Sequence, residues 1–501
     1  MSTIEPSVHR SLRSLYEQAR ERADFNIVVG DDAYGWSALA PGVSWLVGRL
    51  RKSGVQRGDV VLYQGTQNAD AFVLFWATVL CGAVFAPVDA SWPEYQLDQS
   101  TRHLQPRIVA GDAQTMLQLK RVFPAAYALA LPIDEDIDEV GPADFVASDA
   151  SDPAAYLFTS GSTGVPKAVV LSHRALAHGA ALTLASFDWR SGDRLVNLPE
   201  PHTMSGLRNA FVAAPLGGMA WIPFGAAGEI FDLIDALGRS RCARLVCGPA
   251  LLRHFALLAD RLPQDGLPGL KAIYCTGARL GPDDAAAVSA RLGVPVVNYY
   301  GLTETGGLCI SQSPNHWTVR DDTLGRPVGC EAAIVTEDGR AAIDGESGEL
   351  RIRSPQLMSG YLGQPAATAA RFANGWLRTG DLARRLADGR IQLVGRADHF
   401  IKTAETERVH PEEIELTLEQ HEDVAEAAVC GVGSLQDQER ICALVVLRGS
   451  VAESASTPRR LADFVAERLG PARRPRDIRF TDRLPRKGGK LARSSLPDYF
   501  Q

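Results

Sequence analysis

Apolar and polar positions along the chain follow two periods. Short apolar runs predict strands at Val60-Val61-Leu62-Tyr63, Ala83-Val84-Phe85-Ala86, Arg107-Ile108-Val109-Ala110 and Arg244-Leu245-Val246-Cys247. Helical spacing predicts helices over Leu12 to Arg22, Trp45 to Lys52 and Leu251 to Leu258. The two alternate through the first ~400 residues, the pattern of α/β layers with largely buried parallel sheets. From about Asp398 the texture changes to a compact α+β unit. It has helices over Glu412 to Gln420 and Arg459 to Leu469, and strands around Ala427-Val429 and Ala443-Leu447.

Ala71 to Val88 is almost wholly apolar and as long as a short membrane span. Gly82 and Pro87 interrupt it, Asp89 ends it, and no basic flank supports insertion. It reads as a buried helix to Leu80, a turn at Cys81-Gly82 and a strand to Pro87. Residues 144–153 read as a surface linker. No internal repeat is visible.

A chain of 501 residues exceeds one ordinary core, so two or more domains are expected. With 46% hydrophobic and 22% charged residues it reads as soluble and globular. The net charge of -7 argues against a nucleic-acid-binding surface. The cysteines (Cys81, Cys242, Cys247, Cys275, Cys309, Cys330, Cys430 and Cys442) form no CxxC pair. Zinc sites and a disulfide framework are therefore not expected, and free thiols fit a cytoplasmic protein. The N-terminus lacks the charged and apolar regions of a signal peptide.

Candidate chemistry concentrates in four clusters. The first is Thr159-Ser160-Gly161-Ser162-Thr163-Gly164-Val165-Pro166-Lys167, between the apolar runs Ala154 to Phe158 and Val169 to Leu171. Glycines let backbone amides approach an anion, hydroxyls add donors, and lysine adds a point charge. This predicts a phosphate-gripping hairpin loop. It is not a Walker loop, because Pro166 precedes the lysine, Ala168 follows it, and a strand comes next.

The second cluster, Asn298-Tyr299-Tyr300-Gly301-Leu302-Thr303-Glu304-Thr305-Gly306-Gly307, follows the apolar run Val294 to Val297. That places it at a strand's C-terminal end, where open α/β sheets bind ligands. An aromatic there can stack on a base, Asn can read its edge, and Thr and Glu oxygens can hold phosphate and Mg²⁺. Taken alone, it is also a turn with a Glu. The third cluster, Asn374 to Leu382, contains Asp381, and Arg396 lies fifteen residues on. A short Asp in a Gly turn can accept from both ribose hydroxyls, and alone it is equally a β-turn. The fourth, Leu484 to Arg493, presents Lys490 after two glycines. It is either a flexible basic tail or a lysine that swings into a site. The basic patch Arg473-Arg474-Pro475-Arg476 is either a solvated loop or a contact for a phosphate-bearing partner.

In this order and spacing the clusters resemble the adenylate-forming superfamily of acyl- and aryl-CoA synthetases, peptide-synthetase adenylation domains and luciferases. Gly82 to Asp89, Thr276-Gly277-Ala278-Arg279-Leu280, Gly348 to Ile352 and Ser359-Gly360-Tyr361 agree, so the resemblance covers nearly the whole chain. It implies an α/β fold. A large N-terminal domain of layered α/β sheets with a distorted β-barrel, residues 1–397, would precede a small mobile α+β C-terminal domain, residues 398–501. The hinge would be Asp398. The implied reaction is activation of a carboxylic acid by ATP with Mg²⁺, then transfer to CoA or a carrier-protein thiol.

The resemblance also implies roles. Thr159, Ser160, Gly161, Ser162, Thr163, Gly164 and Lys167 would grip the β- and γ-phosphates. Gly277, Ala278, Asn298, Tyr299, Tyr300 and Gly301 would line the nucleotide, with Tyr300 on adenine and Asn298 at its edge. Thr303 would touch the α-phosphate, Glu304 would hold Mg²⁺, Asp381 the ribose, and Arg396 the ribose and phosphate. Lys490 would contact the acid and the α-phosphate.

Two segments depart from the family pattern. Thr403-Ala404-Glu405-Thr406-Glu407 replaces a glycine-containing loop, is one residue longer and has no glycine. In the family that loop lines the pantetheine tunnel, so the thioester step is where this chain is expected to differ. Pro485 to Lys490 is one residue shorter than usual, with Gly489-Lys490 kept. Leu198 to Ser205 falls in the acid-pocket region. His202-Thr203 aligns with the aromatic–Asp pair of α-amino-acid activators, and no carboxylate stands there. A buried ammonium without a counter-charge is costly. The acid is therefore expected to be an uncharged aromatic, hydroxy or fatty acid, with aryl acids first. Two other readings stay open: an adenylate former with an amine or hydroxyl acceptor, and a degenerate synthetase that binds a ligand or scaffolds a pathway.

Overall fold

Two mixed sheets carry the N-terminal part of the chain. The computed structural model describes residues 11–132, 145–159, 166–224, 230–263, 266–402, 408–434, 437–449, 454, 456–487 and 490–500. For residues 402, 408, 434, 437, 438, 487 and 490 it describes the backbone only. Among these residues, a seven-stranded sheet runs in the order Gly360–Tyr361, Lys167–Ser172, Pro153–Thr159, Val84–Val88, Val60–Gln64, Ile108–Gly111 and Tyr127–Ala130. From Pro153–Thr159 onward its pairs are parallel, and the hairpin strands at the other edge are antiparallel. A nine-stranded sheet has antiparallel pairs at both edges. Its parallel centre includes Arg194–Asn197, Arg244–Cys247, Ala272–Cys275 and the first half of Val296–Leu302.

The apolar run at residues 71–88 folds as expected, into the helix Ala69–Leu80 and the strand Val84–Val88. Asn68 caps the helix by accepting from the Ala71 N–H at 2.8 Å, and nearly every side chain behind it is buried. Phe72 and Trp76 join Tyr16, Phe25, Trp36, Phe211 and Trp221 in one aromatic cluster. Truncating Phe72 to Ala would cost ~3–5 kcal/mol. No helix among the described residues is long and apolar enough to cross a membrane.

Two expectations need correction. The helix expected from Trp45 starts at Trp36 and contains Pro41. Proline removes one backbone hydrogen bond, but burial of Trp36, Leu39 and Val43 carries the helix across it. The expected linker is also packed down where it is described. Phe145 meets the Tyr16 ring edge-on at 5.6 Å, and the Val146 N–H donates to the Leu80 carbonyl at 2.9 Å.

Contacts group Met1–Ala332 with Ile352–Leu377 as one unit, and Ala333–Arg351 with Arg378–Gln501 as the other. The second unit takes in the strand Trp376–Arg385 from Arg378 on and the strand Ile391–Arg396. Within the second unit, Val424–Ser434, Asp437–Leu447 and Asp477–Phe480 form a three-stranded sheet. The helices Pro411–Leu418 and Thr457–Leu469 cover it through Ile414, Leu418, Leu461 and Val465. The α+β texture read from Asp398 onward corresponds to these elements.

Candidate active site

The hairpin strands Pro153–Thr159 and Lys167–Ser172 end with Thr159 and Lys167 opposite each other. The loop they flank, with Ser160, Gly161, Ser162, Thr163 and Gly164, lies outside the described residues. Glu304 is buried beside the hairpin. Its Oε1 accepts from the Tyr361 hydroxyl at 2.9 Å and from Thr159 Oγ1 at 3.4 Å. Tyr361 reaches it from the edge strand that pairs with Val169 and Val170. The Lys167 ammonium lies over the Tyr361 ring at 5.1 Å, and Arg371 Nε donates to the hydroxyl at 3.2 Å. Burial, with Glu304 beside it, pushes the Tyr361 phenol up to about 12, so it stays a proton donor to Glu304.

A nucleotide-bound Mg²⁺ takes one or two carboxylates and completes its shell with phosphate and water. Glu304 suits that role, because both of its side-chain hydrogen bonds among the described residues fall on Oε1. No group of three or more His, Cys, Asp or Glu that could hold a metal occurs among the described residues.

In the second cluster Asn298 to Leu302 belong to the strand Val296–Leu302, and Thr303 and Glu304 lie in the turn that follows it. The strand pairs parallel with Ala272–Cys275 up to Asn298, then antiparallel with Gly307–Ser311 from Tyr299. Gln312 clamps the switch point: the Asn298 N–H donates to Gln312 Oε1 at 2.9 Å and the Gln312 N–H to the Asn298 carbonyl at 3.1 Å. Tyr299 and Tyr300 are neighbours in a strand and face opposite sides. The Tyr299 hydroxyl bonds Ser205 Oγ at 3.0 Å, and its ring meets Phe187 edge-on at 5.1 Å. At Gly301 a Cβ would overlap the Gly307 carbonyl, so the bulge there requires glycine. Thr303 is half-buried beside Glu304, and Gly277 and Ala278 follow the end of Ala272–Cys275.

His202 lies in the segment after Arg194–Asn197. Its Nε2 is 3.8 Å from Asp89 Oδ2, and its Nδ1 is buried without a partner among the described residues. Burial lowers its pKa, against the pull of Asp89, so the imidazole is neutral at pH 7. Asp89 is a carboxylate that the His202-Thr203 alignment did not show, because a different sheet delivers it. Thr203 caps the next turn, and Arg208 follows on a π-helical stretch, Leu207–Ala213. Its guanidinium is fully buried, with Nε and Nη2 both on Asn209 Oδ1. Sequence reading missed Arg208 and Tyr361. Tyr361 was visible as a family-like segment without a role, whereas nothing local marked Arg208.

In the second unit Asp381 and Arg396 are register partners on Trp376–Arg385 and Ile391–Arg396. Arg396 Nη1 donates to Asp381 Oδ1 at 2.9 Å and its Nε to Asp398 Oδ1 at 3.0 Å. Burial opposes the Arg396 charge, and the carboxylates of Asp398 and Asp381 more than offset it, raising its pKa. The Lys490 backbone pairs with Lys487 in a two-stranded ribbon. Three residues on, Arg493 donates to both oxygens of the buried Glu415, at 2.7 and 2.8 Å. In the basic patch, Arg474 donates twice to Asp463, and Arg473 Nε is 3.4 Å from Glu413. These pairings favour a structural role for the patch. Residues 403–407 lie outside the described residues.

The family model described as AMP-binding enzyme matches residues 15–362, and that of the AMP-binding enzyme C-terminal domain matches residues 413–490. A sulfoacetate–CoA ligase of Cupriavidus necator is 30% identical, with 98% of each chain covered. A fatty acid–[acyl-carrier-protein] ligase, ScoC, of Streptomyces coeruleorubidus is 30% identical over 90% of this chain and 88% of its own. The ATP-bound structure of MatB from Rhodopseudomonas palustris has the same fold, with a TM-score of 0.86, 23% identity, and 97% of this chain and 98% of its own covered. Matched over most of its length, the chain belongs to the AMP-binding enzyme family of the adenylate-forming superfamily.

Proposed function

We propose that this chain is an AMP-forming acid–thiol ligase. It joins a carboxylic acid to ATP, releasing pyrophosphate, and then passes the acyl group to the thiol of CoA or of a carrier protein. The observation that carries this reading is the Thr159–Glu304 hydrogen bond, which ties the phosphate hairpin to the metal-type carboxylate. The sulfoacetate–CoA and acyl-carrier-protein ligases among its relatives support the two thiol acceptors.

In the first step a carboxylate oxygen of the acid attacks the α-phosphorus, and the bond to the bridging oxygen of the β-phosphate breaks. Thr159, Lys167 and the Ser160–Gly164 loop hold the leaving pyrophosphate side. Tyr300 faces the base, with Asn298 at its edge and Gly277, Ala278 and Gly301 around it. Thr303 contacts the α-phosphate, and Asp381 with Arg396 the ribose. Glu304 holds Mg²⁺, which when bound spreads the phosphate charge as a Lewis acid. Lys490 meets the negative charge that develops between acid and α-phosphate. In the second step the thiolate attacks the acyl carbon, and the bond from that carbon to the AMP oxygen breaks. Asp398 is the pivot at which residues 398–501 change place between the steps.

Tyr299 belongs with the acid rather than the nucleotide, since its hydroxyl is engaged by Ser205. His202 is a neutral donor–acceptor beside the acid. It offers no charge to an α-ammonium, and Asp89 faces its imidazole. The acidic loop at residues 403–407 motivates a second reading, in which an amine takes the acyl group.

The test is acceptor choice. Purified chain, ATP, Mg²⁺ and an acid panel are combined with CoA, a phosphopantetheinylated carrier protein or a primary amine. Acid-dependent AMP release with a CoA or carrier thioester is expected. Amide without thioester would replace this reading with the second. No acid-dependent AMP with any acceptor would leave only a ligand-binding role.

A further inference from the structure

Arg208 is a buried cation whose partners in the protein are neutral. Its side chain has no solvent exposure, yet no carboxylate among the described residues pairs with it. Two of its nitrogens share one amide oxygen, that of Asn209. Asn209 in turn donates to Asn197 Oδ1 at 3.1 Å, so the network passes the charge to no anion. The third nitrogen, Nη1, is buried with no hydrogen-bond partner in the described structure. Guanidinium does not give up its proton in proteins, and a buried charge without a counter-ion costs several kcal/mol. A fold that keeps such a group leaves the counter-charge to something that binds.

The position of Nη1 says what binds. It abuts Gly307, where a Cβ would overlap it, three residues beyond Glu304. Met204 lines the same position, and Tyr299, whose hydroxyl is tied to Ser205, interacts with Arg208. Arg208 therefore stands between the segment after His202 and the turn after Glu304, the two segments that flank the acid in the proposed reaction. In the proposed reaction the reacting carboxylate belongs at the Thr303–Glu304 end, which leaves the rest of the acid to the side on which Arg208 lies.

We infer that Arg208 receives a second anionic group on the acid, and that the substrate is a small dicarboxylate or sulfocarboxylate. The hydroxyl pair of Tyr299 and Ser205 lies beside it, one proton holding the pair together and the other left to donate. The inference rests on the acid-activating reading above and narrows it. It replaces the expectation of an uncharged acid and strengthens the exclusion of α-amino acids, whose ammonium would meet a like charge. The skeleton between the two anions is either aliphatic or aryl.

The experiment uses matched acids in acid-dependent ATP–pyrophosphate exchange. The pairs are sulfoacetate with propionate, succinate with butyrate, glutarate with pentanoate, and terephthalate with 4-methylbenzoate. In at least one pair the anionic member is expected to exceed its match in kcat/KM by about 100-fold. Arg208→Met, which keeps the volume, is expected to lower kcat/KM for the anionic acid by about 100-fold and to leave ATP binding unchanged. If that variant does not fold, thermal shift of the unaltered chain takes its place, with the anionic acid raising Tm and its match leaving it unmoved. Robust exchange with the uncharged members, equal to or above the anionic ones, would overturn the role of Arg208 and leave adenylation standing. Absence of exchange with every acid would overturn both. A carboxylate and a sulfonate are told apart by which pair responds.

Discussion

Asp381 and Arg396 face each other across an antiparallel strand pair, and their side chains meet at 2.9 Å. The contact fixes a buried carboxylate, the one proposed to hold the ribose. Asp381→Ala is expected to raise KM for ATP by about 10–100-fold, the range for hydrogen bonds to a charged group. Arg396→Ala is expected to lower kcat more than it raises KM, because Asp381 loses its charge partner. Steady-state kinetics at varied ATP checks both, and an unchanged KM in Asp381→Ala would remove the ribose role.

Tyr361 shares Glu304 Oε1 with Thr159. Tyr361→Phe is expected to cost about 10-fold in pyrophosphate exchange through one lost hydrogen bond. Glu304→Gln is expected to cost at least about 100-fold. Titration with Mg²⁺ separates them: high Mg²⁺ should restore much of the first and little of the second. Equal rescue would mean that Glu304 does not hold the metal.

Arg493 braces the segment just after Lys490 by donating to both oxygens of Glu415, which is buried. Removing only the cation strands a carboxylate, so Arg493→Ala is expected to destabilise the C-terminal unit by about 3 kcal/mol. Arg493→Met with Glu415→Leu should recover most of that loss, since an apolar pair removes both charges. Hydrogen exchange in Val424–Ser434 reads the effect. A double variant no better protected than the single would contradict it.

His173 is buried, and its Nδ1 accepts from the Leu12 N–H at 3.3 Å. Burial lowers its pKa to about 4, against the pull of Asp152. Its unfolded value is about 6.5. Above that pH both states are neutral and the contribution is complete. Below it the unfolded chain binds the proton first, so stability falls until about pH 4. At pH 5 the loss is about 2 kcal/mol relative to pH 7. Urea unfolding at both pH values, with and without His173→Gln, checks this. An equal pH dependence in the two proteins would contradict it.

Chemistry that sits in one short segment was legible in the sequence. Thr159 and Lys167, flanked by apolar runs, read correctly as the two ends of a hairpin. The helix and strand at residues 69–88 read correctly because burial outweighed length. What stayed hidden depends on segments far apart in the chain. Arg208 sits in an apolar stretch where an arginine reads as a surface position, and only its burial and neutral partners mark it. Asp89 reaches His202 from a different sheet. Tyr299 and Tyr300 were both read toward the nucleotide, and strand alternation separates them. Residues 145–152 are polar enough to read as a linker, yet Phe145 anchors them on Tyr16.

The central claim is that this chain forms an acyl-adenylate with residues drawn from all four clusters. Acid-dependent exchange of radiolabelled pyrophosphate into ATP measures that step alone, before any thiol is involved. The expected result is exchange that requires Mg²⁺ and an acid, and that Lys490→Ala lowers by about 100–1000-fold while ATP binding stays intact. Exchange unchanged in Lys490→Ala, or absent across the whole acid panel in the unaltered chain, would contradict it.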